Sequence, residues 1–188
     1  MDRRDYLAHH GVLGQKWGVR RYQNPDGSLT EEGIYHYRGM KANRTKSDID
    51  RVYNSLSKHD KRLLGDDENS KEYLSKEEGE YVVKRMMDRY GNMPVAFLDV
   101  MTTTKRGELT ISVATDPKYR GQGRAEKLAK KSIAWFDKNG AKNGFEYLDW
   151  SARADNIASQ KVAEKAGFTY LKKNGDWVIY RYDPKKKE

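Results

Sequence analysis

Residues 108–139 read ELTISVATDPKYRGQGRAEKLAKKSIAWFDKN, and this stretch decides the fold. Its β-branched residues predict a strand over residues 108–115, and Pro117, which has no amide proton, ends the ladder after it. From Ala125 to Phe136, small and apolar residues recur at helical spacing, and Asn139-Gly140 closes the pattern. The stretch therefore predicts a strand, a glycine-containing turn and an amphipathic helix.

The turn between this strand and this helix has the composition of a phosphate-binding loop. Small residues beside a helix N-terminus leave several amide protons unpaired, and Arg120 and Arg124 add positive charge. The alternative is a tight turn in which glycines serve geometry and arginines serve solubility. The accompanying strand, Pro117, Tyr119 and helix favour the phosphate cradle.

The segment TDPKYRGQGRAEKL resembles the acetyl-CoA motif of GNAT-type N-acetyltransferases, Q/R-x-x-G-x-G/A after a strand. The resemblance implies an α+β fold with a central twisted mixed sheet flanked by helices, and acetyl-CoA as co-substrate. It also implies that loop amides hold the CoA pyrophosphate, here in Arg120, Gly121, Gln122, Gly123, Arg124 and Ala125. Val113 and Thr115 would then lie beside the pantetheine arm.

A second block resembles a later segment of the same family. It has the pattern N-x-x-S-x-x-V-x-x-K-x-GF, formed here by Asn156, Ser159, Val162, Lys165, Gly167 and Phe168. The resemblance implies that Asn156 hydrogen-bonds the pantetheine or its phosphate end. Read without the resemblance, Asn156 is a helix cap, and one side chain could do both. Together the two blocks predict a GNAT domain over residues 45–183.

The catalytic groups are less clearly marked. A carboxylate would help to deprotonate an amine acceptor, whose pKa is ~10.4 when it resembles lysine. Glu108 is the first candidate, with Asp99 and Asp149 as others, although Glu108 could also be an exposed carboxylate at a turn. The tyrosine that many GNAT enzymes use as general acid corresponds to Ala163. Ser159, as in a related subgroup, is the candidate acid, and a solvent-facing helix serine is its alternative.

The flanking segments predict the remaining elements of the domain. A helix capped by Ser47 or Asp48 shows one apolar face as far as Leu64. Short turns predict an antiparallel meander, and a strand-helix-strand crossover predicts a parallel pair that separates to admit the cofactor arm. The other predicted elements are a helix at 70–77, strands at 81–88, 94–103 and 145–151, a helix at 157–166 and a hairpin around 174–175.

Residues 1–44 differ from the rest and predict a partly irregular, basic N-terminal arm, and residues 184–188 predict a charged tail. The stretch from about Tyr6 to Gly39 resembles an element of tailed-phage and prophage proteins, which implies a phage origin and a virion partner. His9 and His10 are adjacent and predict no metal site. Basic residues beside Trp17 and Tyr22 could contact nucleic acid, although a solvated tail is favoured.

Composition bounds the function further. The net charge of +9 favours anionic partners such as CoA phosphates, nucleic acid or an acidic protein surface. The absence of cysteine excludes disulfides and a cysteine-linked acyl intermediate. Without a long apolar run or a signal-peptide region, the chain is expected in the cytoplasm of a bacterial host. The expected function is amine acetylation; the alternative is a virion-associated binding protein that keeps the fold without turnover.

Overall fold

The computed structural model describes residues 22–26, 28–37, 45–64 and 81–186. These belong to two compact units, one containing residues up to 42 together with 91–93, and the other containing residues 43–90 and 94–188. The interpretations made for His9, His10 and Trp17, and the helix expected at 70–77, lie outside the described residues.

The described part of the smaller unit holds one short helix behind a polar turn. Asn24 N donates to Ser28 O at 2.8 Å, and Ser28 N donates to Asp26 Oδ1 at 2.9 Å. Helix α1, Glu31–Tyr37, follows, and its His36 ring stacks on Tyr22 with centroids 4.1 Å apart. A polar turn around Asn24 and Asp26 thus precedes α1.

A six-stranded mixed sheet organises the larger unit, in the order β1-β2-β3-β4-β6-β5. β2 pairs antiparallel with β3, β3 parallel with β4, and β6 antiparallel with both β4 and β5. The mixed α+β fold predicted from the sequence is confirmed. The strands are β1 Val82–Tyr90, β2 Met93–Thr102, β3 Glu108–Thr115, β4 Tyr147–Arg153, β5 Thr169–Asn174 and β6 Trp177–Tyr182.

β3 and β4 separate part-way along their length. Their pairing runs from Glu108 opposite Tyr147 to Ile111 opposite Trp150. Beyond that point β3 continues to pair with β2 as far as Thr115 opposite Ala96, whereas β4 continues beside β6. One edge of residues 112–115 is therefore open, as the predicted splay requires.

Helices cover the sheet: α2 spans Thr45–Ser55, α3 Lys58–Leu63, α4 Arg124–Asn139 and α5 Ile157–Ala166. The prediction that Ser47 or Asp48 caps the first of these is wrong, because α2 begins at Thr45. The carboxylate of Asp48 is buried and bonds Arg89. The sequence predicted one helix with a single apolar face as far as Leu64. The structure has two helices there, because Ser57 and Asp60 form a capping box that starts α3.

Apolar residues fill both faces of the sheet. Phe97 on β2 packs with Ile49 and Val52 of α2, and its neighbour Leu98 belongs to the cluster on the side of α4 and α5. Alternation along the strand sends consecutive side chains to opposite faces, which is why β2 is buried almost throughout. Burying side chains of this size contributes roughly 1.5–3 kcal/mol each. Pro184–Lys186, at the start of the charged tail, form a 3-10 turn.

Candidate active site

The loop between β3 and α4 presents bare backbone. Gly121 and Gly123 have φ angles of +74° and +70°, and a Cβ added to either would meet no atom within 4 Å. Gly123 is the N-cap of α4, has no side-chain cap, and accepts the first helical bond from Lys127 N at 2.9 Å. The amides of residues 124–126 therefore lack intrahelical acceptors and are available to an anion.

The loop forms one wall of a cavity of about 1200 Å³. Its other walls are α3, the second half of β3, the end of β4 near the separation, and the first turns of α5. This volume exceeds the roughly 300–1,000 Å³ typical of small-molecule sites and suits a long, extended ligand. The loop and strand residues that line it include Val113, Thr115, Arg120, Gly121, Gly123, Arg124 and Ala125.

The open edge of β3 turns two amides toward this cavity. Asp116 N donates to Val95 O at 2.9 Å, on the β2 side. Because peptide directions alternate along a strand, the amides of Thr115 and Val113 point to the opposite side, where β4 has diverged. The strand therefore offers backbone donors and acceptors to a ligand that lies between β3 and β4.

A family described as the Acetyltransferase (GNAT) family matches residues 48–168, which is more than half of the chain. The chain belongs to the GNAT acetyltransferase family. It is an N-acetyltransferase, and acetyl-CoA is its co-substrate. No functionally curated protein matches it in sequence.

Solved structures share the fold at low identity. The GNAT domain of PAT from S. lividans is 14% identical, with 76% of this chain and 86% of that chain covered and a TM-score of 0.58. Aminoglycoside acetyltransferase AAC(6')-Ib in complex with coenzyme A and kanamycin is 12% identical, with 75% and 92% covered and a TM-score of 0.55. A GNAT-family acetyltransferase from Bacillus anthracis is 18% identical, with 72% and 87% covered and a TM-score of 0.54.

Residues 1–24 match a family of unknown function, DUF7211. This match confirms that the N-terminal element recurs in other proteins, and it assigns no phage origin. Within the described residues, no helix of this acetyltransferase is long and apolar enough to cross a membrane.

The two arginines of the loop have different surroundings. Arg120 is 47% exposed, and its Nη2 lies 2.9 Å from Asp60 Oδ1. Arg124 is only 14% exposed, and its Nη1 lies 2.6 Å from Asp88 Oδ2, with the guanidinium over the ring of Tyr119. Only Arg120 can readily turn its guanidinium toward a phosphate, whereas Arg124 fastens α4 to β1. The side chain of Gln122 accepts from Arg124 Nε at 3.1 Å and does not line the cavity.

The polar residues of α5 meet at the opposite wall. Asn156 is the N-cap, and its side chain accepts from Ser159 N at 3.1 Å. Ser159 Oγ in turn accepts from Trp150 Nε1 at 2.9 Å. Ala163, which the resemblance to GNAT enzymes aligns with a tyrosine, is fully buried in the core. Trp150 was missed from the sequence, since the partner of a strand tryptophan is not visible in its local pattern.

The three carboxylates that the sequence suggested as catalytic bases lie away from the cavity. Glu108 stands at the other end of β3, roughly 23 Å from Thr115 at about 3.3 Å per residue, and its Oε2 lies 2.9 Å from Arg181 Nη2. Asp149 shares that arginine, and its hydrogen bond raises the pKa of Arg181 above the ordinary value. Asp99 is fully buried against Arg85. The structure thus does not bring Glu108 to Ser159 or to the loop.

Titratable residues that were not predicted from the sequence line the cavity, and two of them belong to α3. These are His59 and Asp60. Partial burial works to raise the pKa of Asp60, but hydrogen bonds from Ser57 and Arg120 hold it below the ordinary value. Asp60 is therefore ionised at neutral pH, and His59 is an exposed imidazole. The capping-box spacing of Ser57 and Asp60 was the signal that could have placed this helix.

Proposed function

We propose that this acetyltransferase moves the acetyl group of acetyl-CoA directly to an amine, without a covalent enzyme intermediate. The observation that carries the proposal is the meeting of two backbone surfaces in one cavity. The loop of Gly121 and Gly123 offers free amides at a helix N-terminus, and the open edge of β3 leads away from it. An extended ligand with a pyrophosphate at one end fits both surfaces.

The chain's own groups have distinct roles in this proposal. Amides of the loop residues 121–125 hold the pyrophosphate, and Arg120, whose own amide donates to Pro117 O, supplies the charge of its guanidinium. Val113 and Thr115 pair with the pantetheine through their outward amides, one of which polarises the thioester carbonyl. Asn156 hydrogen-bonds the same arm while it caps α5.

The chemistry then requires a proton to leave the acceptor. The amine nitrogen attacks the carbonyl carbon, the C–S bond breaks with its electron pair going to sulfur, and the amine loses one proton. His59 is the group we propose for this proton, directly or through water, because it is exposed on the cavity wall. The position of Glu108 lends no support to its role as base. Ser159 provides a hydrogen bond to the departing sulfur.

The acceptor is an amine of a protein, a peptide or a small molecule. The protein is incubated with isotopically labelled acetyl-CoA and a bacterial lysate, and mass spectrometry follows enzyme-dependent labelling of amines. A labelled amine and stoichiometric release of free CoA are expected. If the purified protein fails to bind acetyl-CoA in calorimetry, the proposal is wrong.

A second candidate is a phage or prophage binding protein that retains the acyl-CoA-binding fold without turnover. Ala163 favours it, because no side chain there can donate a proton, and so does the resemblance of the N-terminal element to phage proteins. On this view the protein works in the cytoplasm of a bacterial host or joined to a virion component. Tight acetyl-CoA binding with no acetylated product from any lysate fraction would select this candidate.

A further inference from the structure

Trp150 and Ser159 form a hydrogen-bonded pair at the point where β3 and β4 separate. Trp150 is 2% exposed and lies opposite Ile111 in the last pairing between the two strands. Its Nε1 lies 2.9 Å from Ser159 Oγ, in the first turn of α5. Both residues line the cavity.

The polarity of this pair is fixed by chemistry. An indole N–H is a donor only, whereas a serine hydroxyl has one proton to donate and two acceptor lone pairs. Ser159 must therefore accept from Trp150 and cannot return its own proton to the ring. Within the described part of the chain, the Ser159 hydroxyl makes no other hydrogen bond. Its proton is thus available to a ligand in the cavity.

Other helical serines of this protein use their protons differently. Ser132 Oγ donates to Ala129 O at 2.7 Å, and Ser55 Oγ donates to Val52 O at 2.6 Å. Such a bond to the carbonyl three residues earlier is the ordinary outcome for a serine in a helix. Ser159 departs from this pattern, because within the described residues the one hydrogen bond of its hydroxyl is the one it accepts from the indole.

We propose that Trp150 is a positioning residue that aims the Ser159 hydroxyl at the sulfur of CoA and strengthens the hydrogen bond it donates. The inference deepens the proposed acetyl transfer and rests on it. A hydroxyl that accepts one hydrogen bond is polarised and becomes a better donor for the next. Because the indole is held in the core, with the Phe168 ring 5.6 Å from it, the direction of this donor is set before the ligand binds.

The Trp150–Ser159 pair supplies a hydrogen-bond donor, which the side chain of Ala163 lacks. When the C–S bond breaks, the electron pair stays on sulfur, and the Ser159 O–H stabilises the resulting thiolate by a hydrogen bond. The serine keeps its proton, because its hydroxyl is a far weaker acid than a thiol. The proton that later neutralises the sulfur comes from water, and water in turn takes up the proton that His59 removed from the amine. No further reactant is required.

The test measures the thiol pKa of bound CoA, from the ultraviolet absorbance of the thiolate, in four proteins: wild type, Trp150→Phe, Ser159→Ala and the double variant. A hydrogen bond to a charged group is worth about one pKa unit. We therefore expect the ionisation constant of the bound thiol to fall about tenfold in Ser159→Ala. We expect Trp150→Phe to lower this ionisation constant as well. In the double variant the constant should equal that of Ser159→Ala.

Matched controls separate positioning from packing. Ser132→Ala removes a buried hydroxyl of α4 that does not line the cavity, and it should leave the thiol pKa unchanged. Ser159→Thr keeps a hydroxyl and should restore most of the effect. Equal thiol pKa values in all variants, or independent effects that add in the double variant, would overturn the inference. Failure of wild type to bind CoA in calorimetry would instead remove the proposed function, and the inference with it.

A measurement that keeps Trp150 in place covers the case in which Trp150→Phe does not fold. The indole N–H resonance of Trp150 is followed by NMR while CoA or desulfo-CoA is added. A shift with CoA, absent with desulfo-CoA and absent in Ser159→Ala, is expected. The same shift with both ligands would show that the indole does not respond to the sulfur, and the inference would be wrong.

Discussion

Arg120 Nη2 lies 2.9 Å from Asp60 Oδ1, so a side chain of the glycine turn before α4 is bonded to α3. Arg62 forms a parallel pair from α3 to Asp155, also at 2.9 Å. The two arginines are similarly exposed, at 47% and 48%. They differ in position, because only Arg120 belongs to the loop with free amides. A bound pyrophosphate would compete with Asp60 for the Arg120 guanidinium.

This difference predicts the effect of removing each guanidinium. Arg120→Gln should weaken acetyl-CoA binding about tenfold, because a charge-assisted hydrogen bond to phosphate is lost. Arg62→Gln is the matched control, and its affinity should stay within about threefold of wild type, since an exposed ion pair contributes little. Calorimetry at constant salt measures both. Equal losses in the two variants would show that the cavity responds to charge in general rather than to Arg120.

Asn156 allows its capping role to be separated from its proposed contact with the cofactor. Asn156→Ala removes the acceptor for Ser159 N and should lower the free energy of unfolding by about 1 kcal/mol. Asn156→Asp keeps a capping acceptor, so its stability in urea should match wild type. The added negative charge should nevertheless weaken acetyl-CoA binding. Wild-type affinity in Asn156→Asp would mean that Asn156 is a helix cap alone.

A stability prediction follows from the ion pairs of Asp88, whose Oδ1 lies 2.9 Å from Lys127 Nζ and whose Oδ2 bonds Arg124. Burial works to raise the pKa of Asp88, but its bonds to Lys127 and Arg124 hold it below the ordinary value. Asp88→Asn should therefore lower the free energy of unfolding by roughly 1.5–3 kcal/mol at neutral pH. Urea unfolding followed by circular dichroism measures this difference.

The stability difference between wild type and Asp88→Asn should depend on pH in one direction only. A carboxyl whose pKa is depressed in the folded state stabilises the fold above its unfolded pKa of ~3.9, and this contribution is lost as the pH falls through the folded pKa. The difference in the free energy of unfolding between wild type and Asp88→Asn should have its full size above about pH 5 and should disappear in stronger acid. Asp176→Asn, which alters a side chain that is 78% exposed, should change stability little at any pH. A gap that widens in acid would contradict the assignment.

Local chemistry explains which elements were predictable. The helix expected at 157–166 is present as α5, because its cap Asn156 and its terminating Gly167, with φ at +107°, are both visible in the sequence. The helix after the glycine turn begins at Arg124, directly after Gly123, whose φ angle of +70° ends the turn. Phe145 was expected to begin a strand, but a 3-10 turn and Gly144 delay β4 to Tyr147.

Partners distant in the chain explain what was not predictable. Glu108 looked like a cleft carboxylate because it opens the cofactor strand, yet its partner Arg181 is 73 residues away. Two other contacts depend on how β1, β4 and the helices pack. They are the ion pair of Arg124 with Asp88 and the hydrogen bond from Trp150 to Ser159. No periodicity or motif encodes those contacts. The order of strand, glycine turn and helix was thus readable from the sequence, whereas the distribution of acids and donors around the cavity was not.

A pair of glycine substitutions tests whether the loop of residues 121–125 binds the pyrophosphate of acetyl-CoA. Gly123 and Gly144 have φ angles of +70° and +78°, and each has open space where a Cβ would stand. Substitution by glutamate therefore strains the backbone similarly at both positions, but only Gly123 lines the cavity.

Calorimetric titration with acetyl-CoA compares wild type, Gly123→Glu and Gly144→Glu after each is shown to be folded. Repulsion between the new carboxylate and the pyrophosphate should weaken binding at least about tenfold in Gly123→Glu, or more than 1.4 kcal/mol, with Gly144→Glu close to wild type. Undiminished affinity in folded Gly123→Glu would contradict the account.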